Sequence, residues 1–219
     1  MSKKSTLPVG ESLKEMARHY GERVKSFGTT AKAAGWRDME TQYLRFSQLF
    51  RIFEHDGTSF SLNDLGCGYG ALLQAMPEVL AARVTRYTGY DLSQEMVDTA
   101  CEYCKNDERC HFICGNRIEK DADYTLASGI FNHHFNTQRT AWEKHIFNTV
   151  SHMYKVSKKG IAFNIMSKYV DYVEDYIYYA DPAEMLTFCL ANWGRHVVLL
   201  HDYSLYECTI LVRKEAGGS

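Results

Sequence analysis

With 45% apolar and 24% charged residues, a chain of 219 residues can bury one good core, which suits a single α/β domain better than two. A formal net charge of −2 leaves no global electrostatic footprint for nucleic acid or an anionic membrane surface. No apolar stretch approaches the ~20 residues of a membrane span, and the first sixteen residues lack the apolar centre of a secretion signal, so a cytoplasmic protein is expected.

The first sixty residues are helical in character. Leu13, Met16, Tyr20 and Val24 recur at helical spacing until Gly28 stops the pattern. The linker GTTAKAAGW follows, then a second helix from about Asp38 to Phe53 with Tyr43, Phe46, Leu49, Phe50 and Phe53 on one side. From residue 58 strands and helices alternate, as parallel βαβ units do. Strands are read in SFSLNDL, RYTGYD, HFICG, DYTLASGIF, GIAFNIM, RHVVLLHD and LYECTILVRK. Helices between them are ALLQAMPEVLAA, SQEMVDTACEYCKN, TAWEKHIFNTVSHMYKV and PAEMLTFCLANW. The last two strands are separated only by a few residues around Tyr203 and Ser204, so they must pair as an antiparallel hairpin at the end of the sheet. The predicted organisation is a helical cap over residues 1–57, one compact α/β unit over 58–214, and a disordered tail at 215–219.

The turn LNDLGCGYGALLQ carries Gly66, Gly68 and Gly70 at alternate positions, with Asp64 ahead of them. Glycines there let the backbone approach a ligand and aim helix amides at it. A dinucleotide turn spaces its last two glycines differently, as G-x-G-x-x-G. Asp64 also suits a ligand with positive charge better than a pyrophosphate. A second acid, Asp91, ends the next strand about twenty residues on, where a carboxylate chelates ribose hydroxyls.

Asp64-x-Gly66-x-Gly68-x-Gly70 followed by GYDLSQEM resembles the first two motifs of the class I S-adenosylmethionine-dependent methyltransferases. The likeness runs from about 58 to 213, through HFICGN, DYTLASGIF, KVSKKGIAFNI and the closing hairpin. It implies a Rossmann-like three-layer sandwich with a seven-stranded, mostly parallel sheet. The implied cofactor is S-adenosylmethionine, released as S-adenosylhomocysteine. The implied contacts are Gly66, Cys67 and Gly68 under the methionyl part, Asp64 at its ammonium, Asp91 on the ribose, and Leu92 and Met96 on the adenine. Asn116 stands where the superfamily commonly has an acid reading the adenine amino group, and its amide oxygen can still accept. Ile118 is expected on the other adenine face, with Ser128, Gly129, Ile130 and Phe131 lining the cofactor. A narrower resemblance joins FGTTAKAAGWRDMETQYLRFSQLF, SGIFN, YYADP and HDYSLYECTILVRK to a bacterial group of small methyltransferases often linked to surface-polysaccharide or secondary-metabolite pathways. Within it Arg45 is expected on the cofactor carboxylate and Trp36 as a lid; the plainer alternatives are an ion pair and a packed indole.

Methyl transfer from a sulfonium needs alignment and exclusion of water, and an alcohol acceptor also needs a base. Three clusters lie near the acceptor end. Just past the fourth strand come Asn132, His133 and His134, either of the histidines a candidate base. Tyr169, Tyr172, Tyr176, Tyr178 and Tyr179 follow the fifth strand among Asp171, Glu174 and Asp175, and Tyr178 and Tyr179 are candidates to line the site. Asp181 before Pro182 reads as a helix cap. His201 and Asp202 sit in the hairpin turn and read as structural. The amino-methylase loop N/D-P-P-Y/F is absent after the fourth strand, which argues against DNA bases or a glutamine amide as acceptor.

No metal is expected. The seven cysteines do not form two pairs at ligand spacing: Cys101 and Cys104 lie one turn apart on a helix, and Cys110 and Cys114 flank a strand. The leading expectation is O-methylation of a polar small molecule such as a sugar, nucleotide-linked sugar or natural-product intermediate. The alternatives are N-methylation of a small amine, a non-catalytic cofactor-binding subunit and, furthest, a nicotinamide enzyme. No nucleic-acid or membrane partner is expected, and a homodimer is compatible with the sequence.

Overall fold

A computed structural model describes residues 6–215. Glu215 is the last described residue, so all but the first residue of the tail predicted for 215–219 lies outside them. Two helices lead, α1 (Val9–Phe27) and α2 (Met39–Phe50), the latter running into a 3-10 turn at Arg51–Phe53. Then follow β1 (Phe60–Leu65), α3 (Ala71–Gln74), α4 (Glu78–Ala81), β2 (Val84–Asp91), α5 (Gln94–Tyr103), β3 (Cys110–Cys114) and β4 (Ala122–Ala127). The chain closes with α6 (Arg139–Val156), β5 (Ser157–Met166), α7 (Pro182–Trp193), β6 (Val197–Leu200) and β7 (Glu207–Arg213).

The seven strands form one sheet in the order β3-β2-β1-β4-β5-β7-β6. The first five are parallel, and β7 runs antiparallel to both β5 and β6. After β1 the chain builds outward on one side through β2 and β3, and then returns to the other side at β4. Beyond the carboxyl ends of these strands such a reversal opens a crevice. Leu65 is in register with both Tyr90 and Ala127, so the residues that follow β1, β2 and β4 emerge side by side at this crevice.

Local chemistry accounts for the elements. Gly28 caps α1 with its N–H on the Val24 carbonyl, Asp38 caps α2 through Thr41, Ser93 caps α5 through Met96, and Asp181 caps α7 through Ala183, with Pro182 in the first turn. The single helix expected over ALLQAMPEVLAA is two short ones, because Pro77 breaks it. Tyr43 departs from the predicted stripe of the second helix. It shares a side with Phe50 but lies two turns earlier, where nothing covers it, and it is 51% exposed.

Both faces of the sheet are covered. Phe46, Leu49 and Phe50 of α2 and Val24 of α1 join a core with Phe60, Leu62 and Leu72. Met16 of α1 joins the other with Trp142, Ile146, Phe163 and Ile165. The N-terminal helices therefore belong to the packed body. No described helix is long and apolar enough to cross a membrane.

Candidate active site

The Tyr90 carbonyl at the end of β2 accepts from both Gly66 N (2.7 Å) and Cys67 N (3.0 Å), which draws the glycine turn against that strand. Asp91 then receives Gly68 N and Ser93 N, each at 2.9 Å, so two backbone amides aim its carboxylate. Gly66 sits at φ +78°, and a Cβ there would come within 2.1 Å of Ile130 Cγ2. The turn after β1 thus packs directly on the loop after β4. Gly129, at φ +71°, has the Trp36 indole in the place a Cβ would fill. Asn164 on β5 fixes that loop by accepting from Gly129 N at 2.8 Å and donating to Ser128 Oγ.

These segments enclose a cleft of about 1070 Å³. Among the described residues its lining includes Asp64 and Asp91 and not one lysine or arginine. Burial raises the Asp64 carboxyl to about 7; the Tyr87 hydroxyl donating at 2.5 Å opposes this, and the nearby Asp91 charge adds to it. Burial also raises Asp91, against the amides that hydrogen-bond it. Two desolvated acids with no protein cation beside them favour a ligand that brings positive charge and repel a pyrophosphate.

Most of the predicted cofactor residues converge here: Trp36, Asp64, Gly66, Cys67, Gly68, Asp91, Leu92, Met96, Asn116, Ser128, Gly129 and Ile130 all line the cleft, and so does His133. Six predicted residues lie elsewhere, among them Phe131, which is buried in the core with Trp142 and Phe163. Arg45 bonds Glu207 through Nε, at 2.8 Å to Oε1 and 3.0 Å to Oε2, and the Thr41 carbonyl through Nη1. It lines a neighbouring cavity instead of the main cleft. Ile118 is buried in the core with Tyr90 and Met153. His134 turns its Nε2 to the Asp175 carbonyl at 2.9 Å. Tyr178 is buried, its hydroxyl on Glu143 and Arg139 over its ring. The Tyr179 hydroxyl accepts from Glu174 N. The aromatic-walled pocket expected from the tyrosine run is therefore absent: Tyr169 and Tyr172 are exposed, and His201 lies near Tyr169 at the surface.

Sequence reasoning missed the contribution of α1, whose Leu13, Met16, Ala17 and Tyr20 roof the cleft, and of His145 and Thr149 from α6. The apolar stripe of α1 was visible; that part of it faces a ligand space was not.

His133 occupies the junction of the two cavities. Its backbone pairs with Ile177, its ring stacks on Tyr176 at 5.6 Å, and Tyr20 meets it edge-on at 6.4 Å. Burial, reinforced by the charges of His19 and Arg23, lowers its imidazole to about 4. The loop that carries it then passes through two left-handed residues, Phe135 and Asn136. Ser12 of α1 holds that strained stretch through the Thr137 hydroxyl and the Phe135 carbonyl.

The comparisons with known proteins agree with this geometry. A family model described as a methyltransferase domain matches residues 63–160. The Mycobacterium tuberculosis protein "Putative methyltransferase Rv1506c" is 46% identical over 159 residues, covering 71% of this chain and 93% of the relative. Among solved structures, magnesium protoporphyrin IX methyltransferase from Synechocystis PCC 6803, with bound S-adenosylhomocysteine, superposes with a TM-score of 0.67 at 12% identity over 93% of this chain and 100% of its own. The N-methyltransferase NodS from Bradyrhizobium japonicum WM9, in complex with S-adenosylhomocysteine, gives 0.64 at 14% identity over 94% and 99%. Together with the alternating-glycine turn and its two acids, these likenesses place the chain in the class I S-adenosylmethionine-dependent methyltransferases.

Proposed function

We propose that the protein methylates a hydroxyl of a polar small molecule, with His133 as general base. The observation that carries this reading is the position of His133: a neutral imidazole that lines both the cofactor cleft and a second cavity beside Arg45 and Asn132. The cleft fits its cofactor by charge and shape. Asp64 would take the ammonium, Asp91 the ribose hydroxyls, Leu92 and Met96 the adenine faces, and Asn116 the adenine edge. S-adenosylmethionine supplies a methyl group on a positive sulfonium, and that charge leaves the pocket as the methyl transfers.

His133 gains a proton in the same event, so the pocket acquires no net charge. Burial keeps the resting imidazole neutral and its lone pair open to a hydroxyl. The same burial disfavours the imidazolium, a cost set against the positive charge lost from sulfur as the methyl departs. The roof formed by α1 and Trp36 excludes water, which protects alignment of the acceptor. The narrower resemblance favours a sugar, a nucleotide-linked sugar or a natural-product intermediate as that acceptor.

The test is release of S-adenosylhomocysteine at saturating cofactor over a panel of hydroxyl and amine acceptors. His133→Asn and His133→Ala are expected to lose roughly 10²- to 10⁴-fold in turnover with unchanged cofactor affinity, whereas His134→Ala retains it. Wild-type rates in both His133 variants would sink the base assignment and favour an amine acceptor, which needs no base. Binding of cofactor without turnover of any acceptor would favour a non-catalytic subunit.

A further inference from the structure

Glu207 opens β7, and its carboxylate is wholly buried among apolar strand neighbours. Arg45 reaches it from the middle of α2 with Nε and Nη2, both at 2.8 Å from Oε1. Taking two charges out of water costs enough that an apolar pair of similar volume is often as stable or more so. The pair is therefore a poor stabiliser, yet it is finished with care. Trp36 covers the guanidinium at 4.0 Å, and the Thr41 carbonyl accepts from Nη1 at 2.9 Å.

Only the guanidinium keeps an open edge: 10% of the Arg45 side chain is exposed and none of the Glu207 side chain. Arg45 and Glu207 form part of the wall of a cavity of about 480 Å³ that Asn132 and His133 line as well. That cavity shares Tyr20, Trp36, Gly129 and His133 with the cofactor cleft. Of the five N–H directions of a guanidinium, Glu207 takes two and Thr41 one. Two remain without a protein partner among the described residues. Glu207 Oε2 accepts from the same Nε at 3.0 Å and lies fully buried behind the guanidinium. Asn132 uses its oxygen on Met166 N, which leaves its amide hydrogens for a ligand. The wall thus offers the donors of Arg45 and Asn132 side by side, and the two formal charges behind it cancel.

We propose that the Arg45–Glu207 pair recognises the methyl acceptor by a neutral vicinal diol, or a hydroxyl beside a second oxygen, while His133 faces the hydroxyl to be methylated. One oxygen accepts from Arg45 and its neighbour from the Asn132 amide, while Glu207, buried behind the guanidinium, cancels its charge. A carboxylate in that place gains nothing from a guanidinium already neutralised by Glu207, and an ammonium meets Arg45, so neutral groups are preferred. The role of the diol next to a reacting hydroxyl rests on the proposed O-methylation; the binding claim stands on the pair itself.

Binding separates the two. The protein, saturated with S-adenosylhomocysteine, is titrated by NMR with matched ring probes: cis- and trans-1,2-cyclohexanediol, cyclohexanol, cyclohexanecarboxylate and cyclohexylammonium, with methyl glucopyranoside as a larger polyol. At least one diol is expected to bind about tenfold or more tighter than cyclohexanol and both charged rings. In the double variant Arg45→Met/Glu207→Leu, diol binding is lost while melting temperature and S-adenosylhomocysteine affinity hold. Glu207→Gln leaves the guanidinium uncompensated and is expected to shift preference toward cyclohexanecarboxylate. His133→Asn keeps diol affinity within about twofold, whatever becomes of turnover. Several results overturn the proposal: no neutral diol or polyol binding, charged rings binding as well as the diols, or a double variant that retains diol affinity. So does a double variant that melts well below the wild type or loses cofactor affinity, since the pair is then structural.

Discussion

The two ends of the crevice are built by opposite means. At the glycine turn, orientation is delivered by backbone: the Tyr90 carbonyl holds Gly66 and Cys67, and Gly68 and Ser93 amides hold Asp91, all within one βαβ unit. At the acceptor end, side chains converge from remote segments. Arg45 meets Glu207 across 162 positions, Ser12 braces Thr137 across 125, and Ile177 pairs with His133. A site made of backbone is indifferent to most substitutions around it. A site made of distant side chains can change specificity one residue at a time while the cofactor seat stays intact.

The most severe way to break this contrast is to fill the glycine turn. Gly66→Val adds bulk at a left-handed position where even a Cβ meets Ile130, so S-adenosylhomocysteine affinity measured by calorimetry is expected to fall at least about a hundredfold. Gly129→Ala is the mirror experiment. Its Cβ displaces Trp36, which lines both cavities, so acceptor turnover is expected to suffer more than cofactor affinity. Equal losses in both quantities would show that the two ends are not separable. Next comes Asp91→Asn, which keeps the side-chain shape and one acceptor oxygen but removes the charge. A loss of about 2 kcal/mol in cofactor binding is expected, the scale of a hydrogen bond to a charged group.

The same contrast explains what the sequence disclosed. The strands, the closing hairpin and the convergence of Asp64, Gly66, Gly68 and Asp91 on one cleft were legible because the signals are short-range: alternation, turn glycines, and an acid at each strand end. Arg45 was legible as a special residue but not by its partner, since nothing in α2 announces that β7 begins with a buried glutamate. Tyr178 and Tyr179 were misplaced for a related reason. A run of phenols after a strand can line a pocket or wrap the body, and here the bridge between Ser167 and Ala180 and the Tyr178 N–H on the Asn132 carbonyl turn those rings away. His133 and His134 differ by one position and face opposite environments, a distinction that only pairing with residues 176–178 creates.

Protonation gives a subtler probe of the cofactor end. Asp64 is held up to about 7, above its ordinary 3.8, so in the free protein its carboxyl keeps a proton that an unfolded chain has released. Its contribution to stability is therefore full below about 3.8 and lost as pH rises through about 7. His133 works the other way: held down to about 4 from 6.5, it contributes stability above 6.5 that is lost as pH falls through about 4. Between those limits the two oppose each other, and melting temperature is a blunt reporter. Cofactor affinity is sharper, because an ammonium at Asp64 demands the ionised form. Affinity for S-adenosylhomocysteine is expected to fall below pH 7 with a slope approaching one decade per pH unit, and Asp64→Asn should flatten it. A wild-type profile as flat as that of the variant would place the ammonium elsewhere.

The smallest effect expected concerns how the roof is held. Lys25 of α1 reaches Glu95 of α5 at 2.7 Å, and this ion pair bridges the N-terminal helices to the α/β body. Both side chains are solvent-exposed, at 64% and 39%, so water and salt screen the attraction. Apolar burial is the larger grip: Met16 and Val24 of α1 are each at least nine-tenths buried, in the two cores on either side of the sheet. Lys25→Ala is accordingly expected to cost less than about 0.5 kcal/mol, or on the order of 1 to 2 °C in melting temperature for a chain of this size. Cofactor affinity should not move. A tenfold loss of affinity in Lys25→Ala, restored by Lys25→Arg, would mean that charge and not packing holds the roof shut. The acceptor end would then depend on ionic strength in a way that Met16 and Val24 do not predict.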